Sequence, residues 1–336
     1  MTISSQAPAR VDLAGGTLDI WPLYLFHENA QTINFAINCY ARCRLTPRKD
    51  KTIELLSHDL NRRETFPSLE ALKKAKRWGL SLLARLAMDF QPAQGLTLET
   101  DSGVPAGSGL GGSSALNIAI CGAFARFTGQ RLSPPKLIEI ARNVEAQVLR
   151  VPTGEQDYYS AVHGGLQAIH LTPHGIHAEK LPISSEEINS RFIVCYSGES
   201  RNSGINNWEV QKAHIDGSRS VIRHFDRIAA TAADLRHALV EQEWKSVARL
   251  LRQEWEARKK NHPGITTPTI ERLMKRARRR GALAAKACGA GGGGCVVFLV
   301  EPGNKPAVEG VLSEAGAKVI PFRVATRGLR IHRSNA

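Results

Sequence analysis

The chain lacks the features that would assign it to a membrane or to an oxidising compartment. Its 336 residues contain no run near the roughly 20 apolar residues that a membrane helix needs. Its first residues do not join a basic segment to an apolar one, as a secretory signal does. The six cysteines are scattered, with no C-x-x-C pair and no histidine at zinc spacing. We therefore expect a cytoplasmic protein with reduced cysteines and no membrane partner.

Acidic residues are also scarce. The chain has 31 Asp and Glu against 45 Lys and Arg, which leaves a net charge of +14. Such a balance suits an anionic small substrate or a nucleic acid. The densest basic run, residues 275–280, ends a helical pattern, where cations suit the helix dipole. Because no aromatic residues interleave with these charges, the pattern disfavours nucleic acid as a partner.

The most informative segment is the glycine-rich run of residues 103–116, with the sequence GVPAGSGLGGSSAL. Its glycines leave backbone N–H groups exposed, and two serines then open an apolar run that predicts a helix. Exposed amides together with the positive end of a helix dipole form an anion site, and phosphate is its usual occupant. The segment therefore indicates a protein that handles nucleotides.

The residues of this run are compatible with more than one kind of glycine-rich loop. A Walker A loop requires a lysine after its last glycine, but Ser113 follows Gly112 here. The dinucleotide pattern G-x-G-x-x-G is formally met at Gly107, Gly109 and Gly112, yet the acidic residue expected about 20 positions later is missing. A glycine turn without a ligand is the third reading, and it leaves the two serines at the helix start unexplained.

The length predicts two domains, or one large domain with a lobe. Apolar periodicity predicts a strand pair at 31–46 and 52–56, one helix over 69–90 and a strand at 95–101 that leads into the glycine loop. Farther along, the same patterns predict helices at 113–127, 133–149 and 267–280, a mostly helical stretch at 206–260, and strands at 166–171, 191–197 and 295–300.

Three segments taken together resemble the GHMP kinase family, which is named for galactokinase, homoserine kinase, mevalonate kinase and phosphomevalonate kinase. They are residues 8–19 (PARVDLAGGTLD), residues 105–115 and residues 286–298, whose core reads GAGGGG. The resemblance implies an α+β, two-lobed fold: a ribosomal S5 domain 2-like N-terminal domain, expected at 1–175, and a ferredoxin-like C-terminal domain, expected at 176–336. It also implies ATP and Mg²⁺ as cofactors.

The resemblance assigns roles to residues of each segment. It implies that nucleotide phosphates contact Pro105, Gly107, Ser108, Gly109, Leu110, Gly111, Gly112, Ser113 and Ser114. Mg²⁺ would be held by the Ser114 hydroxyl and the Glu145 carboxylate. Asp157 would lie beside the substrate hydroxyl as a base or an orienting group, and Arg10 would neutralise developing charge. Substrate contacts are implied for Gly16, Thr17, Asp19, Gly154, Gln156, Ser200, Arg201, Gly291 and Gly292.

The double glycine Gly15-Gly16 is closer to the heptose-phosphate kinase and fucokinase branch than to galactokinases. The resemblance thus implies an ATP-dependent kinase for a sugar or sugar phosphate, with D-glycero-D-manno-heptose 7-phosphate as the leading candidate and its anomeric hydroxyl as the acceptor. Another sugar 1-kinase, a mevalonate-pathway kinase and a catalytically silent sensor of sugar and ATP remain alternatives. A homodimer also stays open.

Overall fold

The structure is a computed structural model that describes residues 2–199 and 203–334. Within these residues the strands are β1 (Thr2–Ala14), β2 (Gln31–Pro47), β3 (Ile53–Ser57), β4 (Arg62–Phe66), β5 (Leu96–Asp101), β6 (Leu166–Thr172), β7 (Gly175–Lys180), β8 (Phe192–Tyr196), β9 (Ala282–Ala287), β10 (Cys295–Val300), β11 (Lys318–Ile320) and β12 (Arg330–Ser334). The helices are α1 (Leu69–Lys74), α2 (Ser81–Phe90), α3 (Gly112–Thr128), α4 (Pro134–Leu149), α5 (Gln156–His163), α6 (Ser185–Arg191), α7 (Ser203–Ile215), α8 (Arg219–Val240), α9 (Trp244–Arg258), α10 (Pro268–Arg279) and α11 (Lys305–Glu314).

The first sheet has eight strands in the order β12-β1-β2-β5-β3-β4, and β6 and β7 extend it from β2. The predicted pairing of 31–46 with 52–56 is wrong, because β5 lies between these two strands and runs antiparallel to β2 and parallel to β3. The prediction for β5 itself is confirmed. Its alternating burial orients one face to the core, and its end delivers the chain into the glycine loop.

The single helix predicted over 69–90 is also wrong, because α1 and α2 are separate. The Glu64 carboxylate of β4 accepts hydrogen bonds from the backbone N–H groups of Gly79 and Leu80, at 2.7 and 2.9 Å, just before α2 begins. The guanidinium of Arg62 fills the space that a Cβ at Gly79 would occupy. A neighbouring strand therefore fixes a break that helical periodicity alone did not show.

The second sheet has four antiparallel strands in the order β11-β8-β10-β9. Helices α7–α10 connect β8 to β9, and α11 connects β10 to β11. This β-α-β-β-α-β sequence with its strand order is the ferredoxin-like arrangement, as expected. Sequence patterns missed β9, because its ALAAKA sequence has no β-branched or aromatic residue.

The chain crosses between the two lobes more than once. β7 pairs with β6, and β12 pairs with β1, so both strands belong to the first sheet. The division of the chain at 175/176 stays a prediction. Cys39, Cys43, Cys121 and Cys195 are free thiols. Among the described residues, none of the helices has the length and apolar character to cross a membrane.

Candidate active site

The glycine loop connects β5 to α3 and uses backbone conformations that suit glycine. Gly107, Gly109 and Gly111 have φ values of 69°, 78° and 70°, in the left-handed region that other residues rarely adopt. Gly111 is the N-cap of α3, and no side chain caps this helix start. The first N–H groups of α3 are therefore available to an anion, as the sequence predicts.

The loop is held in place from both lobes. The Arg10 guanidinium of β1 donates to the Gly109 carbonyl at 2.6 Å, and the Arg10 backbone N–H donates to the Leu110 carbonyl at 2.8 Å. From the other side, the Cys295 N–H donates to the Ser108 carbonyl at 2.7 Å. A Cβ at Gly294 would stand 2.6 Å from that same carbonyl, so the approach requires glycine there. The three glycine-containing segments of the sequence meet at this loop.

A cavity of about 530 Å³ opens in front of the loop. The sequence-predicted residues on its wall are Arg10, Thr17, Asp19, Pro105, Gly107, Ser108, Gly109, Gly111, Gly112, Ser113, Ser114, Glu145, Gly154, Gln156 and Asp157. Leu110 is fully buried behind the loop. Gly291 and Gly292 contact Ile265 instead, whose carbonyl accepts the Gly292 N–H at 2.7 Å. Ser200 and Arg201 lie outside the described residues.

Other residues of the cavity wall were not among the predicted site residues. They are Ile20, Ser57, Asp59, Leu60, Gly79, Leu80, Ser81, Leu82, Leu83, Ser102, Ala106, Leu116, Val148, Leu149, Val151, Pro152, Thr153, Asn207, Gly289 and Ala290. Many of them come from the β3–β4 turn, the start of α2 and the end of α4, which the fold assembles from distant segments. Most of these residues are apolar or small and form no motif, so no sequence pattern identified this part of the wall.

Arg10 and Asp157 form an ion pair on the cavity wall. Arg10 Nε donates to Asp157 Oδ1 at 2.7 Å, and Nη2 lies 2.5 Å from the same oxygen. Burial would lower the pKa of Arg10, but the charges of Asp157 and Asp12 outweigh it and raise that pKa. The Asp157 side chain is 22% exposed and lies in the first turn of α5, where the helix dipole stabilises negative charge. The pair can thus contact a ligand in the cavity.

Asp19 is a buried carboxylate on the same wall. Its Oδ2 accepts the Gln156 backbone N–H at 2.9 Å, and Gly154 packs so closely that a Cβ there would stand 2.4 Å from this oxygen. Burial raises the pKa of Asp19 to about 7, although the Gln156 hydrogen bond opposes the shift. Near neutral pH this group can therefore either donate or accept a hydrogen bond.

Glu145 of α4 lies below the serines at the start of α3. The Tyr158 hydroxyl donates to Glu145 Oε2 at 2.8 Å. Burial raises the pKa of Glu145, although hydrogen bonds with the side chains of Ser113, Tyr158 and Ser114 oppose the rise. A hydroxyl and a carboxylate beside a phosphate loop are oxygen donors of the type that Mg²⁺ prefers. The donor set of Ser114 and Glu145 therefore fits this ion.

A quartet of buried charges lies beneath the cavity and joins the lobes. Lys286 Nζ of β9 lies 3.1 Å from Asp12 Oδ2 of β1 and 3.3 Å from Glu254 Oε2 of α9. Arg258 Nε, also of α9, donates to Glu254 Oε1 at 2.9 Å, and its Nη2 lies 3.9 Å from Asp12 Oδ2. The two positive and two negative groups are all buried. Their charges balance inside the protein.

The segment that follows β1 rests on this quartet. A Cβ at Gly16 would stand 2.6 Å from Asp12 Oδ2, so Gly16 lies directly over the buried carboxylate. Thr17 has a φ of 66°, and its hydroxyl donates to Asn207 Oδ1 at 3.1 Å. Arg258 Nη1 lies 3.4 Å from the same hydroxyl. The quartet therefore positions one edge of the cavity.

Comparisons with known proteins agree with this geometry. Models of the N-terminal and C-terminal domains of GHMP kinases match residues 71–165 and 235–318, together more than half of the chain. The chain is 28% identical to D-glycero-alpha-D-manno-heptose 7-phosphate kinase of Campylobacter jejuni, with 98% of both chains covered. It is 27% identical to mevalonate kinase of Thermococcus sibiricus over 72% of this chain and 71% of the relative.

A solved structure gives the same result for the fold. A D-glycero-D-manno-heptose 1-phosphate kinase from Bacteroides thetaiotaomicron superposes with a TM-score of 0.80 at 25% identity, covering 99% of this chain and 100% of the other. GHMP kinases are phosphotransferases that use ATP and an alcohol group as acceptor. The glycine loop, the two-lobed fold and both domain matches lead to one conclusion: this chain belongs to the GHMP kinase family.

Proposed function

We propose that this chain transfers the γ-phosphate of ATP to the anomeric hydroxyl of D-glycero-D-manno-heptose 7-phosphate in the cytoplasm, giving the 1,7-bisphosphate. The observation that carries the proposal is the Arg10–Asp157 pair, which opens into the cavity next to the uncapped start of α3. The likeness to a heptose 7-phosphate kinase over 98% of both chains supports this choice of sugar.

Phosphoryl transfer asks a protein mainly for positioning and for stabilisation of charge. The backbone N–H groups of residues 107–114 and the dipole of α3 hold the phosphates. Arg10, which is fixed to the loop through Gly109, neutralises the charge that develops on the transferred group. Asp157 accepts a hydrogen bond from the attacking hydroxyl, as base or orienting group.

Mg²⁺ fits the same arrangement. Ser114 and Glu145 would hold it, and the bound ion would supply neutralisation of the phosphate oxygens. The hydrogen bond from Tyr158 fixes the orientation of the Glu145 carboxylate. Because that carboxylate is buried, a cation close by favours its ionised form.

The sugar is proposed to lie at the Asp19 end of the cavity. Asp19, Gly16, Thr17, Gly154 and Gln156 come together there from two segments that are far apart in the sequence. The carboxyl group of Asp19 can pair with a sugar hydroxyl. Ser200 and Arg201 remain proposed contacts of the substrate phosphate, and Gly291 and Gly292 of the substrate.

A panel of acceptors with Mg-ATP tests the proposal. Heptose 7-phosphate, fucose, galactose and mevalonate are compared by ADP release, and ³¹P NMR identifies the product. We expect turnover with heptose 7-phosphate and a new anomeric phosphate signal. Turnover with mevalonate but with none of the sugars would reject the sugar assignment. Binding of ATP and heptose 7-phosphate without turnover of any acceptor would favour the silent sensor.

A further inference from the structure

A second cavity lies in the ferredoxin-like lobe, where α8, α9, α10 and β9 meet. It measures about 730 Å³ and shares no lining residue with the cavity at the glycine loop. Its size is that of a small-molecule site, since such sites span about 300–1,000 Å³. It therefore needs an explanation of its own.

The charges around this second cavity are strongly unbalanced. The cationic lining residues are Arg227, Arg249, Arg252, Lys259, Lys275 and Arg278. Two carboxylates lie on the wall: Glu256 is 2.6 Å from Lys259, and Glu271 accepts the Thr266 hydroxyl at 2.8 Å, so six cations face two carboxylates. Among the described residues, no carboxylate lies within 4.0 Å of the other five cations. An anion would find several uncompensated positive charges here.

Apolar and aromatic residues share the wall with these cations. Trp255 is 4% exposed and lines the cavity, and its indole N–H has no hydrogen-bond partner among the described residues. Met274 and residues 282–285 add apolar surface. An unpaired buried donor costs free energy unless an acceptor reaches it. Because this wall combines guanidinium groups with buried apolar surface, it suits a compact anion better than a nucleic-acid duplex.

We propose that the second cavity binds a small molecule that carries two or more linked phosphate groups. Guanidinium groups bind phosphate oxygens through bidentate hydrogen bonds. Four of the six cations on this wall are arginines. Linked phosphates place several negative charges within one cavity, as the excess of positive charge requires. The proposal is independent of the sugar that the kinase uses.

The methionines of the chain allow a test that separates the two cavities. The sequence contains three, Met1, Met88 and Met274. Of the two that the structure describes, Met88 and Met274, only Met274 lines the second cavity. Inorganic tripolyphosphate is titrated into protein labelled with ¹³C at the methionine methyl groups. We expect a saturable shift of the Met274 signal, and its midpoint gives the affinity of this cavity whatever binds at the glycine loop.

A matched pair of variants on α10 makes the test specific. Lys275→Gln with Arg278→Gln removes two charges from the cavity wall, whereas Arg276→Gln with Arg279→Gln removes two exposed charges of the same helix that do not line it. We expect the first pair to weaken binding at Met274 about tenfold and the second by less than about twofold.

Three results would overturn the proposal. The first is a Met274 signal that does not respond to tripolyphosphate. The second is equal weakening by both pairs of variants, which would show that only the overall charge matters. The third is tighter binding of a short DNA duplex than of tripolyphosphate at the same signal, which would assign the cavity to nucleic acid.

Discussion

The Arg10–Asp157 pair and the buried quartet start two residues apart on β1, yet they differ in their access to solvent. The Asp157 side chain is 22% exposed, whereas the side chains of Asp12, Glu254 and Lys286 are completely buried. A buried ion network cannot change partners without exposing a charge to an apolar surrounding. The Arg10–Asp157 pair can exchange one partner for a ligand, because Asp157 is partly exposed. Charged residues of the same types can therefore contact a ligand in one place and hold the two lobes together in the other.

The largest expected effect concerns the Arg10–Asp157 pair. Asp157→Asn keeps the shape of the side chain but removes the charge that pairs with Arg10 and faces the acceptor hydroxyl. We expect kcat to fall about 10³- to 10⁴-fold, which corresponds to about 4 to 5.5 kcal/mol, while ATP still binds. Steady-state kinetics and calorimetric titration of a non-hydrolysable ATP analogue measure the two effects. Unchanged turnover would remove Asp157 from the mechanism.

The next effect concerns the quartet, where stability should change. Lys286→Met leaves two buried carboxylates with one guanidinium, so we expect a loss of about 4 kcal/mol in the free energy of unfolding. Urea denaturation measures it, with Lys318→Met on the exposed part of the same sheet as control.

A second substitution sharpens this result. Adding Asp12→Asn to Lys286→Met restores the balance of charge, because Arg258 still pairs with Glu254. We expect the double variant to recover at least about 1 kcal/mol relative to Lys286→Met. A double variant that is less stable than the single one would contradict the view of the quartet as a balanced network.

Asp19 is an intermediate case, since it is buried like the quartet but has no cation within 4.0 Å among the described residues. Burial raises its pKa from 3.8 to about 7, so between these values the folded state holds a proton that the unfolded chain loses. Its contribution to stability is therefore greatest below pH 4 and falls as pH rises to 7, by up to about 1.4 kcal/mol per pH unit.

Asp19→Asn tests this assignment. We expect the variant to lose part of the decrease in unfolding free energy between pH 4 and pH 7, measured by urea denaturation across that range. Glu145, which burial also shifts upward, keeps its own contribution in both proteins. Parallel curves for the wild type and the variant would mean that Asp19 titrates near its ordinary value.

The smallest expected effect compares the two ends of α3. Gly111 and Gly129 have φ values of 70° and 74°, so alanine costs about 1 to 2 kcal/mol at either position. A Cβ at Gly111 would stand 3.1 Å from the Asp157 carboxylate, whereas a Cβ at Gly129 would have no neighbour within 4 Å. We expect both alanine variants to lower Tm similarly, but only Gly111→Ala to reduce kcat, about tenfold. Equal kcat values for the two variants would mean that the packing of Gly111 against Asp157 does not matter for catalysis.

The local sequence pattern predicted the glycine loop, and the resemblance to GHMP kinases supplied the other predicted site residues. The glycine loop, Arg10, Asp157, Asp19 and Glu145 were placed on one cavity wall by the structure, although their roles remain proposals. The quartet left no such signal, because Asp12 and Lys286 are 274 residues apart and each resembles an ordinary charged residue. The α1–α2 break depends on Glu64 of another strand, and β5 enters between β2 and β3 from a distant position. These features arise from tertiary contacts.

The pairing of β12 with β1 bears on how the protein is made. During synthesis β1 emerges long before β12, so one of its edges meets its partner only when residues 330–334 have been translated. Asp12 likewise meets Lys286 only after residue 286 has been translated. A chain still on the ribosome therefore carries an open strand edge, which can pair with a wrong strand. The first sheet is thus completed only after the four strands of the second sheet have been translated.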